Sequence, residues 1–272
     1  MESMPVDHVF AGSVPEIYDT YLVPLIFQPY ADDIARRLAA RPLQRVLEIA
    51  AGTGVVTRAM ASTLAPDVEI VATDLNQPML DRAAAHGTAR AVEWRTADAM
   101  QLPFGDAGFD AVVCQFGAMF FPDRGHAHSE FRRMLRPGGR LLFNVWDRIE
   151  NNEIADVVTG ALAEIFPGDP PRFMARTPHG YFDFDAIRDD LSKGGFTKPA
   201  QISTVSARSR ARSAREAAFA YCEGTPLRNE IVARDPGGLE RATAAATDAL
   251  VRRFGNGPID ALIRAHVVEV DA

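Results

Sequence analysis

An apolar run that ends in a glycine turn, residues 46–54 (V-L-E-I-A-A-G-T-G), carries the strongest chemical signal of the chain. Its aliphatic residues are typical of a buried parallel strand. Gly52 and Gly54 allow a tight turn and let a ligand approach the backbone closely. Because residues 55–64 are compatible with a helix, the segment predicts a nucleoside-sized binding site at the carboxyl end of the strand.

A carboxylate follows the next apolar strand along the chain. Residues 68–73 form that strand, and Asp74 comes directly after it. A carboxylate at this place can accept both hydroxyl protons of a ribose, and the alternative interpretation is a cap of the following helix. Thr57 stands where a dinucleotide-binding fingerprint has its third glycine. The glycine turn and Asp74 alone therefore leave two ligands open, a nicotinamide cofactor and S-adenosylmethionine.

Three further segments decide between these ligands. Asp98 lies in W-R-T-A-D-A-M after a third strand, residues 109–116 (F-D-A-V-V-C-Q-F) form a fourth, and residues 134–143 (M-L-R-P-G-G-R-L-L-F) lead into a fifth. In order and spacing these motifs resemble the class I S-adenosylmethionine-dependent methyltransferases, specifically the type 11 group that includes small-molecule and quinone methyltransferases. The resemblance covers residues 46–143.

The elements that must position these residues alternate between strand and helix from residue 45 to residue 143, which predicts a parallel sheet with helices on both faces. The resemblance implies a Rossmann-like, doubly wound α/β fold: a mostly parallel seven-stranded sheet with an antiparallel last strand and a helical substrate cap. We predict four segments along the chain. They are an N-terminal helical lid (1–44), an S-adenosylmethionine-binding core (45–145), a cap segment that returns to the sheet (146–200), and the last two strands with inserted helices (201–272).

The resemblance also assigns roles around the cofactor. The turn presents its backbone to the methionine end, Glu48 organises the turn, and Asp74 binds the ribose. Asp98 accepts a hydrogen bond from the adenine amine, or else forms an Asx turn before Met100. The predicted cofactor-binding residues are Tyr21, Glu48, Ala50, Gly52, Thr53, Gly54, Asp74, Leu75, Met79, Asp98, Ala99, Gln115 and Phe116.

Methyl transfer is an in-line displacement, so the main task of such an enzyme is to align the reacting atoms in a dry cleft. A general base is needed only when the acceptor carries a proton. Among the histidines, His179 is the predicted catalytic residue because H-G-Y follows the cap, whereas His126 and His128 fit a surface or structural role. Trp146 and Tyr181 are predicted to line the acceptor pocket, and packing within the cap is the alternative for both.

Composition limits the partners. The 272 residues carry a formal net charge of −7, which argues against nonspecific binding to nucleic acid. The arginine-rich residues 206–215 fit a solvated strand end and loop better than an anion-binding patch. The two cysteines, Cys114 and Cys222, lack metal-ligand spacing, so no metal is expected. Without an apolar run of membrane-spanning length, we expect a cytoplasmic monomer or homodimer that meets neither nucleic acid nor membrane.

These patterns predict an S-adenosylmethionine-dependent methyltransferase that acts on an oxygen, nitrogen or carbon atom of a small-molecule acceptor and releases S-adenosylhomocysteine. Two alternatives stay open from the sequence. One is a nicotinamide-dependent oxidoreductase, which the glycine turn and Asp74 would also suit. The other is a noncatalytic protein that only binds S-adenosylmethionine.

Overall fold

In residues 14–272, the part of the chain that the computed structural model describes, seven strands form one sheet. They are β1 (Arg45–Glu48), β2 (Glu69–Asp74), β3 (Glu93–Thr96), β4 (Phe109–Gln115), β5 (Leu135–Trp146), β6 (Gln201–Ala211) and β7 (Ile259–Asp271). Their order across the sheet is β3-β2-β1-β4-β5-β7-β6. The first five strands pair in parallel, and β7 is antiparallel. The predicted Rossmann-like sheet with an antiparallel last strand is therefore confirmed.

Helices connect these strands, as the alternating pattern predicts. The helices are α1 (Val14–Ile17), a π-helix (Tyr18–Phe27), α2 (Gln28–Ala39), α3 (Val55–Thr63), α4 (Gln77–His86), α5 (Arg124–Met134), α6 (Glu153–Ile165), α7 (Phe173–Arg176), α8 (Phe184–Lys193), α9 (Ala214–Glu223), α10 (Leu227–Arg234) and α11 (Leu239–Phe254), with 3-10 turns at Ala118–Phe120 and Ile149–Asn151. None of the helices within residues 14–272 combines the length and apolarity needed to cross a bilayer.

The described residues group into two units by their contacts. The first, here called the sheet unit, comprises residues 28–145, 181–205 and 265–272. The second, the helical unit, comprises residues 14–27, 146–180 and 206–264. The first thirteen residues of the predicted N-terminal lid lie outside the described residues.

The centre of the sheet unit is the pair β1 and β4. Val46 and Leu47 of β1 are fully buried and lie opposite Ala111 and Val112 of β4. On its other edge β1 pairs with β2, so the strand order reverses direction at β1. In doubly wound sheets a ligand crevice opens at such a reversal, outside the carboxyl ends of the strands. The fold therefore places the ends of β1, β2 and β4 where a ligand site is expected.

Two local details differ from the sequence-based expectation. The R-P-G-G segment lies inside β5 rather than before it, because Leu135 already pairs with Phe109 and the register then shifts before Ala111. Gly138, with φ of 80°, supplies the backbone conformation that this irregularity requires. The sequence pattern predicts a sixth strand over residues 196–207, whereas β6 begins at Gln201, since Pro199 interrupts the extended segment before it.

Candidate active site

The turn after β1 winds through three left-handed backbone positions. Ala50, Gly52 and Gly54 have φ angles of 54°, 57° and 81°. The Ala51 amide donates to the Thr73 carbonyl at 2.9 Å, which ties the turn to β2. Glycine adopts such angles at little cost, whereas alanine does not. Ala50 is therefore a strained residue held by its surroundings, as is common at ligand sites.

Glu48 is the last residue of β1 and is 1% exposed. The Thr57 hydroxyl, on α3, donates to its Oε2 atom at 2.5 Å, and the Thr73 hydroxyl donates to its carbonyl oxygen at 2.8 Å. Burial in this apolar setting raises the pKa of Glu48 to about 8. These contacts connect β1, β2 and α3, so the side chain fixes the base of the turn.

Asp74 closes the other wall of the turn. Its Oδ2 atom accepts from the Gly52 amide at 2.8 Å, and its Oδ1 atom accepts from the Asn76 amide at 2.8 Å. Burial raises the pKa of Asp74, and the backbone donors oppose that rise. A carboxylate oxygen has more than one lone pair, so both oxygens retain capacity for a further hydroxyl donor. Asn76 is a positioning residue that the sequence reasoning did not single out.

Leu75 and Met79 flank this carboxylate differently. Leu75 is 42% exposed and is the one exposed large hydrophobic side chain among residues 14–272. Met79 is buried at 3% exposure in α4. A solitary exposed leucine next to the Asp74 carboxylate offers an apolar face to a flat base, whereas the buried Met79 does not.

Thr53 presents a polar atom without a partner. Its side chain is 1% exposed, and within the described residues no hydrogen-bond partner reaches its Oγ1 atom. Buried hydroxyl groups are nearly always satisfied by protein, water or ligand. A polar ligand bound at this turn would supply the hydrogen-bond partner that the Thr53 hydroxyl lacks. The residues present therefore fit the methionine end of S-adenosylmethionine.

Asp98 and Ala99 follow the carboxyl end of β3, at the same end of the sheet as the glycine turn. The Asp98 Oδ1 atom accepts from the Met100 amide at 2.8 Å, which is the Asx turn that the sequence left open. The Asp98 residue is exposed, and Ala99 is buried. The Asx turn uses one carboxylate oxygen and orients the side chain, so it is compatible with a second role for the other oxygen.

Gln115 is the last residue of β4, and Phe116 follows it. The Phe116 amide donates to the Oδ1 atom of Asn144 at 3.0 Å, and the Asn144 amide group donates to Gln115 at 3.4 Å. Asn144, fully buried on β5, thus holds Phe116 in a left-handed conformation with φ of 52°. Sequence reasoning missed this role because it depends on pairing between β4 and β5.

Gly117 is a second residue that sequence reasoning missed. A Cβ atom at this position would lie 2.7 Å from the Ala50 side chain and 2.7 Å from the Cys114 sulfur. Such distances are far below van der Waals contact. Only glycine therefore allows the end of β4 to approach the turn this closely, and the signal in the sequence is a single glycine directly after an apolar strand.

His179, Trp146 and Tyr21 belong to the helical unit. The His179 Nδ1 atom lies 2.8 Å from the carbonyl oxygen of Asp147, and the ring centroid lies 5.9 Å from that of Trp146. Burial lowers the pKa of His179 to about 4. The ring of Tyr21 makes an edge contact with Phe219 at 5.3 Å.

Tyr181, His126 and His128 belong to the sheet unit. Tyr181 is 3% exposed beneath the guanidinium of Arg124, and burial raises the pKa of its hydroxyl. His126 is exposed and contacts the Met100 carbonyl at 2.9 Å. His128 is fully buried among aromatic rings. The predicted acceptor residues Trp146 and Tyr181 are thus divided between the two units.

Comparison with known proteins decides the family. The family model described as "Methyltransferase domain", of type 11, matches residues 47–143, which contain the turn, Asp74, Asp98 and the R-P-G-G segment. The ubiquinone/menaquinone biosynthesis C-methyltransferase UbiE of Ectopseudomonas mendocina is 33% identical over 171 residues, covering 58% of this chain and 67% of that protein. The chain is a class I S-adenosylmethionine-dependent methyltransferase. Its cofactor is S-adenosylmethionine, and the prediction of an enzyme is confirmed.

Two further proteins are similar to this chain, one in sequence and one in fold. The demethylmenaquinone methyltransferase of Deinococcus radiodurans is 42% identical over 110 residues, which are 40% of this chain and 45% of that protein. A solved structure of phosphoethanolamine N-methyltransferase 2 from Haemonchus contortus, in complex with phosphomonomethylethanolamine and S-adenosylhomocysteine, matches with a TM-score of 0.59 at 17% identity. It covers 95% of this chain and 56% of the other. At that identity the likeness concerns the fold alone.

Proposed function

We propose that this methyltransferase transfers the methyl group to a ring carbon of a small aromatic quinol. The names of two similar proteins support this proposal: one is a C-methyltransferase of ubiquinone and menaquinone biosynthesis, and the other is a demethylmenaquinone methyltransferase. The family model covers residues 47–143, whereas substrate choice depends on residues outside this range. The lid predicted for residues 1–44 and the cap predicted for residues 146–200 belong to this proposal.

The observation that carries the proposal is a row of rings within the helical unit. Tyr18 stacks on Phe27 at 5.0 Å between centroids, Phe27 lies 6.0 Å from Trp146, and Trp146 lies 5.9 Å from His179. Aromatic side chains favour flat, apolar partners through offset and edge contacts. An acceptor with a fused aromatic ring suits such surroundings better than a small polar amine does.

In the sheet unit, the cofactor residues of the proposal have separate tasks. Asp74 accepts hydrogen bonds from the ribose hydroxyls, and the exposed face of Leu75 covers the adenine. The orphaned Thr53 hydroxyl and the turn backbone hold the methionine end. The bound cofactor supplies an activated methyl group on a positively charged sulfur. Most of the catalytic effect then comes from alignment and exclusion of water rather than from acid–base chemistry.

The reaction on a quinol breaks the methyl–sulfur bond, whose electron pair stays on sulfur, and forms a bond from the methyl group to the ring carbon. The ring carbon then loses its proton to water, which restores the aromatic ring, so the products are the methylated quinol, S-adenosylhomocysteine and one released proton. Because a carbonyl oxygen only accepts, His179 donates through Nδ1 to Asp147 and keeps the lone pair of Nε2. With its pKa lowered to about 4, the imidazole is neutral at pH 7. In this proposal Nε2 accepts a hydrogen bond from the quinol hydroxyl and increases the electron density of the ring.

The test is an assay with methyl-labelled S-adenosylmethionine and a reduced demethylated naphthoquinone, in which mass spectrometry locates the label. We expect label on the ring carbon, with the reduced acceptor but not with the oxidised one. His179→Gln should lower kcat with little change in the affinity for S-adenosylhomocysteine, whereas Asp74→Asn should weaken that affinity. Label on oxygen, or binding of the cofactor without turnover of any quinol, would contradict the proposal.

A further inference from the structure

A cavity lies at the amino ends of the parallel strands, at the end of the sheet opposite the glycine turn and entirely within the sheet unit. It encloses about 180 Å³. Its walls come from the end of α2, the segment before β1, the start of β4 and the irregular start of β5. These are the amino ends of the parallel strands, whereas the cofactor turn follows their carboxyl ends. The cavity is therefore separate from the methyl-transfer site.

Four arginines line this cavity, which we call the arginine pocket: Arg37, Arg41, Arg136 and Arg140. Asp110 is the one acidic residue among the lining residues. Guanidinium groups present planar sets of N–H donors that match the oxygens of phosphate and carboxylate groups. Four of them around one small cavity form a surface for an oxyanion.

Carboxylates outside the lining hold two of these arginines. Arg37 donates to Asp33 at 2.6 Å and to Glu269 at 2.7 Å. Arg140 donates to the same Glu269 at 2.6 Å and to Asp271 at 3.0 Å. In these pairs both arginines use the Nε and Nη1 atoms, so their Nη2 groups stay outside the ion pairs. Carboxylates that bind a guanidinium in this way fix its orientation, as the residues that hydrogen-bond to ligand-binding side chains do in known sites.

Arg41 and Arg136 complete the wall with fewer partners. Arg41 reaches Asp271 at 3.1 Å through Nη1, and Arg136 reaches Asp110 at 2.9 Å through Nη1. Their side chains are 47% and 39% exposed, so they remain accessible to a ligand from solvent. Asp110 is itself engaged by the Gln44 and Arg45 amides at 2.7 and 2.8 Å, and the Arg136 guanidinium helps to keep its pKa below the usual range.

We propose that the arginine pocket binds a phosphate group. The volume of about 180 Å³ admits one tetrahedral oxyanion with water, and the Nη2 groups of Arg37 and Arg140 stay outside the ion pairs that these arginines form within residues 14–272. Since the four arginines face four carboxylates in total, the attraction comes from directed hydrogen bonds rather than from a large net charge. The affinity should therefore be modest and should fall as salt is added. The phosphate can be free in solution or part of a lipid headgroup.

The test measures phosphate binding by titration calorimetry at constant ionic strength, with chloride as the exchanged anion. The double variant Arg41→Gln/Arg136→Gln removes two guanidinium groups and leaves the partly buried ion pairs of Arg37 and Arg140 in place. The matched control is Arg188→Gln/Arg212→Gln, which also removes one surface ion pair at each position, to Asp185 and to Glu216. We expect the pocket variant to bind phosphate at least tenfold more weakly and the control to bind like the wild type.

Binding of S-adenosylhomocysteine, unchanged in both variants, shows that the sheet unit is folded. A second arm compares vesicles of phosphatidylcholine with and without phosphatidic acid. Vesicle binding that the pocket variant loses identifies a headgroup as the source, and binding of inorganic phosphate alone identifies the free ion. No phosphate binding above the chloride reference, or an equal loss in the control, overturns the proposal.

Discussion

Thr57 donates a 2.5 Å hydrogen bond to Glu48 at a place where the carboxyl group is 1% exposed. This contact joins the end of β1 to the first turn of α3, on either side of the glycine turn. The hydroxyl favours the charged carboxylate, but burial favours the neutral acid more strongly, so the pKa of Glu48 rises to about 8. The turn is thus built on a carboxyl group that is mostly protonated at neutral pH.

Glu48→Gln should flatten the dependence of stability on pH. The pKa of Glu48 rises from 4.5 in the unfolded chain to about 8 in the folded protein, so the folded state binds more protons between these values. The free energy of unfolding therefore falls as pH rises from 4.5 to 8, by up to about 1.4 kcal/mol per pH unit. Glutamine still accepts from Thr57 and does not titrate, so the variant should lose this slope.

Urea denaturation from pH 5 to pH 9 measures the effect as the difference between wild type and variant. Glu164→Gln, at an exposed position of α6, is the control and should keep the wild-type slope. Parallel profiles for wild type and Glu48→Gln would mean that Glu48 is charged in the folded protein.

Thr53→Val should separate stability from cofactor binding. In the protein without ligand, the Thr53 hydroxyl is buried and has no hydrogen-bond partner in residues 14–272. Replacing it with an isosteric methyl group removes an unsatisfied polar atom, so the free energy of unfolding should stay equal or rise by about 1 kcal/mol. The affinity for S-adenosylhomocysteine should fall about tenfold, because the bound ligand loses its hydrogen bond to the Thr53 hydroxyl.

Calorimetric titration and thermal unfolding of the same samples test both expectations. Thr63→Val, at the exposed end of α3, is the control and should leave the affinity unchanged. An unchanged affinity in Thr53→Val would place the hydroxyl outside the cofactor site.

Much of the sheet unit could be predicted from the sequence because its signals are local. Apolar runs ending in Gly52, Asp74 and Gln115 give strand positions, and parallel strands with helical crossovers bring their carboxyl ends to one edge. The role of Asn144 could not be predicted in this way. It depends on the register of β5 against β4, which places Asn144 opposite Gln115.

The arginine pocket shows the same limit at longer range. Arg37 and Glu269 are 232 residues apart in the chain, and an ion pair between them follows only from where β7 enters the sheet. The grouping into two units is also hidden from the sequence, because each unit is assembled from three separate segments. Local periodicity predicts elements, whereas these relationships depend on tertiary pairing.

His128→Phe should change the acid side of the stability profile. His128 is fully buried beside Phe131 and Phe143, and burial lowers its pKa from 6.5 to about 4. Because the unfolded state binds more protons between these values, stability is lost as pH falls from 6.5 to 4. Phenylalanine does not titrate. The free energy of unfolding should therefore fall by about 3 kcal/mol less in the variant than in the wild type over this interval.

Chemical denaturation at pH 4.5 and pH 7 measures this difference. His86→Gln, at the exposed end of α4, is the control and should resemble the wild type. If His128→Phe lost as much stability on acidification as the wild type does, the imidazole would have to be charged or solvated in the folded protein.

Gly54→Ala and Gly87→Ala should separate backbone strain from crowding. The two glycines have nearly equal φ angles, 81° and 80°. A Cβ atom at Gly54 would lie 3.0 Å from both the Ala83 side chain and the end of the Trp94 ring, whereas at Gly87 nothing lies within 4 Å. Gly87 also has ψ of 169°, a region that essentially only glycine adopts, so Gly87→Ala should cost about 1–3 kcal/mol from the backbone conformation alone. Gly54, with ψ of 26°, lies in the left-handed α region, so Gly54→Ala should cost about 1 kcal/mol from conformation and about 1–3 kcal/mol more from overpacking.

Urea denaturation gives both losses, and a double-mutant cycle with Trp94→Phe identifies the cause. Removing the end of the indole ring makes room only at Gly54, so Gly54→Ala should couple to Trp94→Phe and Gly87→Ala should not. A loss of only about 1 kcal/mol in Gly54→Ala, without coupling to Trp94→Phe, would show that Ala83 and Trp94 move aside at little cost. The requirement for glycine at the start of α3 would then come from the φ angle alone.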